Sequence, residues 1–254
     1  MDVCHSIYKS NVTIVATYEV IISSLFFIHI SFFVGAQVLT LADTGRCADS
    51  VIPEGWDMLS FSSGDLNKNG LSDFPIVVKG LDPKNYEFIE NGAGQDTLDM
   101  NPKVLAVYFG QDDGTYKKTL QSNTFIIPRE NLSMDEPFDR VKILPTGVLQ
   151  IDFHLWYSMG SWYMSNHTYT FRYQNRHFEL IGYDSSTTHR ASGETTDNSI
   201  NFSTRKMRII HLSYDEDTDD EIKIEKWESF ELPKLKSIDS LKMPFNWVFG
   251  DLNI

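Results

Sequence analysis

The sequence predicts an all-β protein of antiparallel meander sheets, preceded by an N-terminal hydrophobic helix. Short apolar or alternating runs separated by turn residues recur from Phe74 to Ile224, and no long window there keeps a 3.6-residue period. Hydrophobic residues at 41% and aromatics at 13% mark a chain able to build a core rather than a disordered one.

The first element is apolar. From Val20 to Ala42 there is no charged residue for 23 positions, and Val34-Gly35-Ala36 has the small-residue form of a signal-peptidase site, which makes Gln37 the first mature residue. Lys9 is the one basic residue before this run, and an uncleaved run of that length could span a bilayer. The expected division is therefore a signal peptide or N-terminal anchor over 1–36, a linker over 37–52, and a single all-β domain over 53–254. Export to the periplasm, the cell envelope or the medium follows, with membrane contact only through the N-terminal segment if it is retained.

Cys4 would leave with the leader and Cys47 would stand alone, so no internal disulfide is expected; Arg46 beside Cys47 argues against lipid attachment. Net charge is −13, of which the first 36 residues contribute −1, leaving −12 for the mature part. Nucleic acid is disfavoured as a partner, because its phosphates need a basic footprint. A negative surface also concentrates divalent cations.

Candidate strands run Ile76 to Val78, Lys103 to Phe109, Thr124 to Ile127, Phe138 to Ile143, Val148 to Trp156, Thr168 to Tyr173, His177 to Asp184, Ser199 to Ser203, Lys206 to Leu212 and Glu221 to Trp227. Asp112-Asp113-Gly114, Pro145-Thr146-Gly147, Met159-Gly160-Ser161 and Gln174-Asn175 supply turns between them. Alternation is clearest where Leu149, Ile151, Phe153 and Leu155 oppose Gln150, Asp152 and His154. With Thr168 to Tyr173 and the run from Phe178 it forms a three-strand meander. Asp82 to Asn101, rich in Asn, Gly and Pro, reads as a surface loop. Asp215 to Glu221 is an acidic run between strands, read as a solvated loop tip.

The most specific motif precedes the first strand. In Asp65-Leu66-Asn67-Lys68-Asn69-Gly70-Leu71-Ser72-Asp73, side-chain oxygens stand at positions 1, 3, 5 and 9, a backbone carbonyl at 7 and glycine at 6. A hard cation such as Ca²⁺ requires this of a short loop. The expected ligands are Asp65, Asn67, Asn69 and Asp73 by side chain and Leu71 by its carbonyl. With two carboxylates and no bidentate Glu at position 12, the expected affinity is weak, on the order of 10⁻⁴ to 10⁻³ M. An ordinary Asn/Gly turn is the alternative.

Taken with Val104 to Phe109 and the Asp112-Asp113-Gly114-Thr115-Tyr116 turn, the loop resembles the FG-GAP/VCBS-type repeat of integrin-like β-propellers and exported bacterial proteins, over about Pro53 to Leu241. The resemblance implies a calcium-bound loop and an incomplete β-propeller-like or few-bladed architecture. There is one such loop, and the mature chain is short for six or seven blades of about 40 to 50 residues each.

No G-x-S-x-G, H-E-x-x-H, Walker-type loop or C-x-x-C pair occurs, and His154, His167, His177, His189 and His211 lack zinc-ligand spacing. The reading is therefore non-enzymatic: an exported, envelope-associated binding or interaction protein whose partner is an unknown protein or glycan. Two alternatives stand beside it. Asp184, His189 and Glu194 could form the acid/base group of an exported hydrolase. Trp162 and Tyr163, beside Gly160 in an expected loop, could form the platform of a carbohydrate-binding module. Sequons at Asn131, Asn166 and Asn201 matter only in a eukaryotic secretory pathway.

Overall fold

The computed structural model describes residues 39–91, 94–215, 218 and 220–254. These are mostly β-strand in antiparallel sheets. The expected N-terminal helix, the leader over 1–36 and part of the acidic run lie outside the described residues. Among the described residues no helix is long and apolar enough to cross a membrane.

The chain opens with β1 (Thr44–Gly45), β2 (Trp56–Phe61) and β3 (Phe74–Gly80), projects a separate hairpin of β4 (Tyr86–Asn91) and β5 (Gly94–Asp99), and returns as β6 (Lys103–Gly110) and β7 (Tyr116–Ser122). Five of these make a sheet in the order β1-β7-β6-β3-β2. Both faces of its centre are buried, which explains the unbroken apolar runs Ile76 to Val78 and Val104 to Phe109. Val77, Leu105, Val107 and Phe109 face the larger core; Phe74, Ile76, Val78, Val104, Ala106 and Tyr108 face a second, smaller one.

Residues 39–52, expected as a linker, close that second core. Leu41 and Val51 are each 2% exposed. The Tyr108 hydroxyl donates to the Ala42 carbonyl at 2.7 Å, and the Leu41 N–H donates to Gln121 Oε1 at 3.0 Å. Leu41 and Val51 anchor this otherwise largely exposed segment by the apolar area they remove from water.

The second sheet is a seven-stranded meander that curves as a half-barrel: β8 (Phe138–Leu144), β9 (Val148–Leu155), β10 (Tyr163–Gln174), β11 (His177–His189), β12 (Thr195–Asn201), β13 (Lys206–Tyr214) and β14 (Glu221–Ser229). The predicted meander is its β9-β10-β11 segment. The inner face supplies Leu149, Ile151, Phe153, Tyr169, Phe171 and Tyr183 to the larger core. Phe125 enters edge-on to Tyr169 and Phe171, with ring centroids 5.6 Å apart in both pairs. A one-turn helix α1 (Ile238–Leu241), the short strands β15 (Val248–Phe249) and β16 (Leu252–Asn253), and Phe245 and Trp247 pack against the same core. β14 is an edge strand with nearly every side chain exposed.

Several elements differ from expectation. Thr124 to Ile127 is not a strand: adjacent Phe125 and Ile126 are both buried, whereas a pleated strand would turn one outward. The expected loop over Asp82 to Asn101 contains the β4–β5 hairpin. β2 and β7 join the first sheet, and Tyr163 begins a strand rather than lying in a loop.

Candidate functional site

The motif loop connects β2 to β3 and is closed by a pair of backbone bonds, Gly64 N–H to the Asp73 carbonyl at 3.1 Å and Asp73 N–H to the Gly64 carbonyl at 2.7 Å. Within it the oxygens of positions 1, 3 and 5 turn inward. Asp65 Oδ1 and Asn67 Oδ1 both accept from the Asn69 N–H, at 3.1 and 3.0 Å, Asp65 Oδ2 accepts from Gly70 at 2.8 Å, and Asn69 Oδ1 accepts from Leu71 at 2.9 Å. Gly70 has φ +85°, the left-handed conformation that its place in the motif requires. Lys68 also lies there, at φ 62°.

Asp73 is placed differently from the other three. It is fully buried, and its carboxylate accepts three backbone N–H groups: Leu66 at 2.8 Å and Asn67 at 3.3 Å on Oδ2, and Gly110 at 3.0 Å on Oδ1. Burial pushes its pKa above the usual carboxylate range, against those three bonds, and the nearby Asp65 charge pushes the same way. Gly110 immediately precedes the Gln111 to Thr115 turn, so Asp73 joins the two halves of the motif. A side chain there has no room, because a Cβ on Gly110 would meet the Ser72 carbonyl oxygen at 2.5 Å. Gly147, in the β8–β9 turn, likewise abuts the Asp65 carbonyl, where a Cβ would approach to 2.6 Å. The loop is thus wedged between the two sheets.

Asp65, Asn67 and Asn69 fit a calcium ion in donor chemistry: each presents oxygen, and an oxygen accepting one N–H keeps a lone pair free. Asp73 has about one of four lone pairs left by the same count. Among the described residues no group of three or more His, Cys, Asp or Glu gathers at metal-binding distance, so the donor set is one of amides, carbonyls and two carboxylates.

The aromatic pair lies at the opposite end of β10. Trp162 is 66% exposed and Tyr163 57% exposed, with the His189 ring 5.0 Å from Tyr163, edge-on, and 6.4 Å from Trp162. Register explains the grouping, since Tyr163 pairs with His189 across β10 and β11. Arg190, which follows His189, donates its backbone N–H to the Trp162 carbonyl at 2.7 Å and its guanidinium to the Ser161 carbonyl. The guanidinium also lies over the Trp156 ring, 5.3 Å from its centroid. No sequence motif flags Arg190; only the strand register brings it to the aromatic pair.

Asp184, His189 and Glu194 are not brought together as an acid/base group. Asp184 lies five residues from His189 along one strand, about 16 Å at ~3.3 Å per residue, and it faces Asn166, Asp197 and Arg208 on the outer sheet surface. His189 Nδ1 is engaged with the Ser192 hydroxyl at 2.9 Å, and Glu194 is exposed at the following turn. The extended strand sets Asp184 apart, while the hairpin turn keeps Glu194 beside His189, whose backbone N–H donates to the Glu194 carbonyl at 2.8 Å.

Comparison with protein-family models, with curated proteins and with solved structures finds no match for this chain.

Proposed function

We propose that this is an exported, non-enzymatic binding protein of FG-GAP/VCBS-like type, with one structural calcium loop at Asp65 to Asp73 and a ligand surface at Trp162 and Tyr163. In this reading the five-stranded sheet is a single blade-like unit, the calcium loop fastens it to the half-barrel, and the partner is a glycan in the cell envelope or outside the cell. The carrying observation is the exposure of Trp162 and Tyr163 side by side on a rigid strand start, where flat amphipathic rings offer area to a sugar at low entropic cost. The separation of Asp184 from His189 and Glu194 supports a binding role over the hydrolase alternative. The loop's inward-turned oxygens support calcium, which when bound would neutralise the Asp65 and Asp73 charges.

The test is retention on a panel of immobilised polysaccharides by wild type and Trp162→Ala. An exposed side chain contributes little to folding, so the variant should keep its thermal midpoint and lose retention. Equal retention by the two proteins would remove the ligand surface from Trp162.

A further inference from the structure

The ligand surface has a second component that exposure alone does not reveal. Ser158, Met159, Gly160, Ser161, Trp162 and Arg190 line an open cleft of about 510 Å³, within the size range of small-ligand sites. Arg190 is its one charged wall residue. The guanidinium is held by the Trp156 face and by the Ser161 carbonyl, so its plane is fixed before any ligand arrives. Of its five N–H donors it gives one to Ser161, and among the described residues no carboxylate pairs with it; Nε is buried beyond a ligand's reach, so the Nη groups are what the cleft can offer. In a chain of net charge −13, a half-buried, immobilised guanidinium without an acidic neighbour is a cost to the folded state unless something else answers it.

We propose that this cleft binds an acidic sugar residue, Arg190 taking the carboxylate and Trp162 the face of the ring. The inference rests on the ligand-surface reading above and adds the substrate class. A guanidinium matches a carboxylate with two parallel hydrogen bonds, and an adjacent flat indole matches the face of a pyranose; the Ser158 and Ser161 hydroxyls donate to the Ser133 and Tyr163 carbonyls and serve to shape the wall. The net charge of −13 over the chain as a whole argues against long-range attraction of polyanions and for a single charge read at one point in a cleft lined by no carboxylate.

The experiment is calorimetric titration of the full chain with a galacturonic acid trisaccharide and with the corresponding neutral galactose trisaccharide. Wild type should bind the acidic sugar at least tenfold more tightly, and that preference should shrink as salt rises. Arg190→Gln should abolish the preference while leaving neutral-sugar binding; Trp162→Ala should abolish both. Equal binding of the two sugars by wild type, or a preference that survives Arg190→Gln, overturns the acidic-sugar proposal and leaves the aromatic surface standing. Binding of neither sugar by wild type overturns both. If Arg190→Gln does not fold, the salt series on wild type decides: a preference insensitive to salt overturns the proposal.

Discussion

The hydroxyl oxygen of Ser60 on β2 accepts the N–H of Val141 on β8 at 3.0 Å, and two residues on, Ser62 accepts from Ile143 at 2.9 Å. These two bonds cover the outward backbone of β8, an edge of the half-barrel, with the side chains of the edge strand of the other sheet. Sheet edges carry unpaired donors that need some such answer. Ser60→Ala with Ser62→Ala should therefore cost about 2 to 4 kcal/mol, one partly buried donor orphaned at each position. Urea unfolding measures it; a loss under about 0.5 kcal/mol would mean that water replaces both hydroxyls.

Gly110 and Gly70 should respond unequally to alanine. At Gly110 the Cβ would meet the Ser72 carbonyl at 2.5 Å, forcing apart the strand end and the loop end that Asp73 joins. At Gly70 there is open space, and only the positive φ is unfavourable. Gly70→Ala should cost about 1 kcal/mol, and Gly110→Ala about 2 to 3 kcal/mol through overpacking and a weakened bond to a carboxylate. The order of the two unfolding midpoints is the check.

Calcium should raise the thermal midpoint of the chain beginning at Gln37, and Asp65→Ala should remove the rise. An ion that binds only the folded state stabilises by RT ln(1 + [L]/Kd), so ~10 mM calcium at a Kd near 10⁻⁴ M would contribute roughly 2.7 kcal/mol. An unchanged midpoint in wild type would reduce the loop to a turn held by its own side chains.

Stability should fall as pH drops from about 6.5 towards 4. His167 is 9% exposed, its Nδ1 2.7 Å from the Tyr183 hydroxyl and its Nε2 2.8 Å from Ser165 Oγ, and burial pulls its pKa down from 6.5 to about 4. The unfolded chain takes up a proton below 6.5 that the folded one refuses. The stability present above that value is lost through this window, by about 3 kcal/mol at most. Asp73 acts oppositely: its raised pKa is a cost above that value, relieved as pH falls through it toward 3.8. His167→Gln should flatten the limb between pH 6.5 and 4 in stability measured against pH; an unaltered slope would assign the acid sensitivity elsewhere.

What could be read from the sequence is what had a periodic burial signal. β9 to β11 alternate over long stretches because one face is core, and Ile76 to Val78 and Val104 to Phe109 are continuous because both faces are. The β4–β5 hairpin left too little trace: Phe88 is 74% exposed and Leu98 is its one fully buried residue among the described side chains, so no alternation marks a buried face. β7 was hidden for the same reason, with Leu120 its one buried residue. The turn from Asp65 to Asp73, with its side-chain oxygens folded inward, was legible from spacing within nine residues. The work of Asp73 was not, since its partner Gly110 lies 37 positions away. Arg190 was illegible because its place beside Trp162 depends on the register of β10 against β11, which a local motif does not encode.

The two ends of the half-barrel are treated differently, and the difference bears on association between copies. β8 is covered, while among the described residues no strand pairs with the outer edge of β14. Glu221, Lys223, Glu225, Lys226 and Glu228 put a charge on five of its nine residues. A second molecule adding its own β14 in antiparallel fashion about Glu225 would set that carboxylate against its twin and would bring the exposed Ile222 and Ile224 opposite Glu228 and Lys226, so charge loses water without apolar side chain meeting apolar side chain. The open strand therefore resists fibril growth at high concentration, and replacing Lys223 and Glu225 by valine is the change that would invite it.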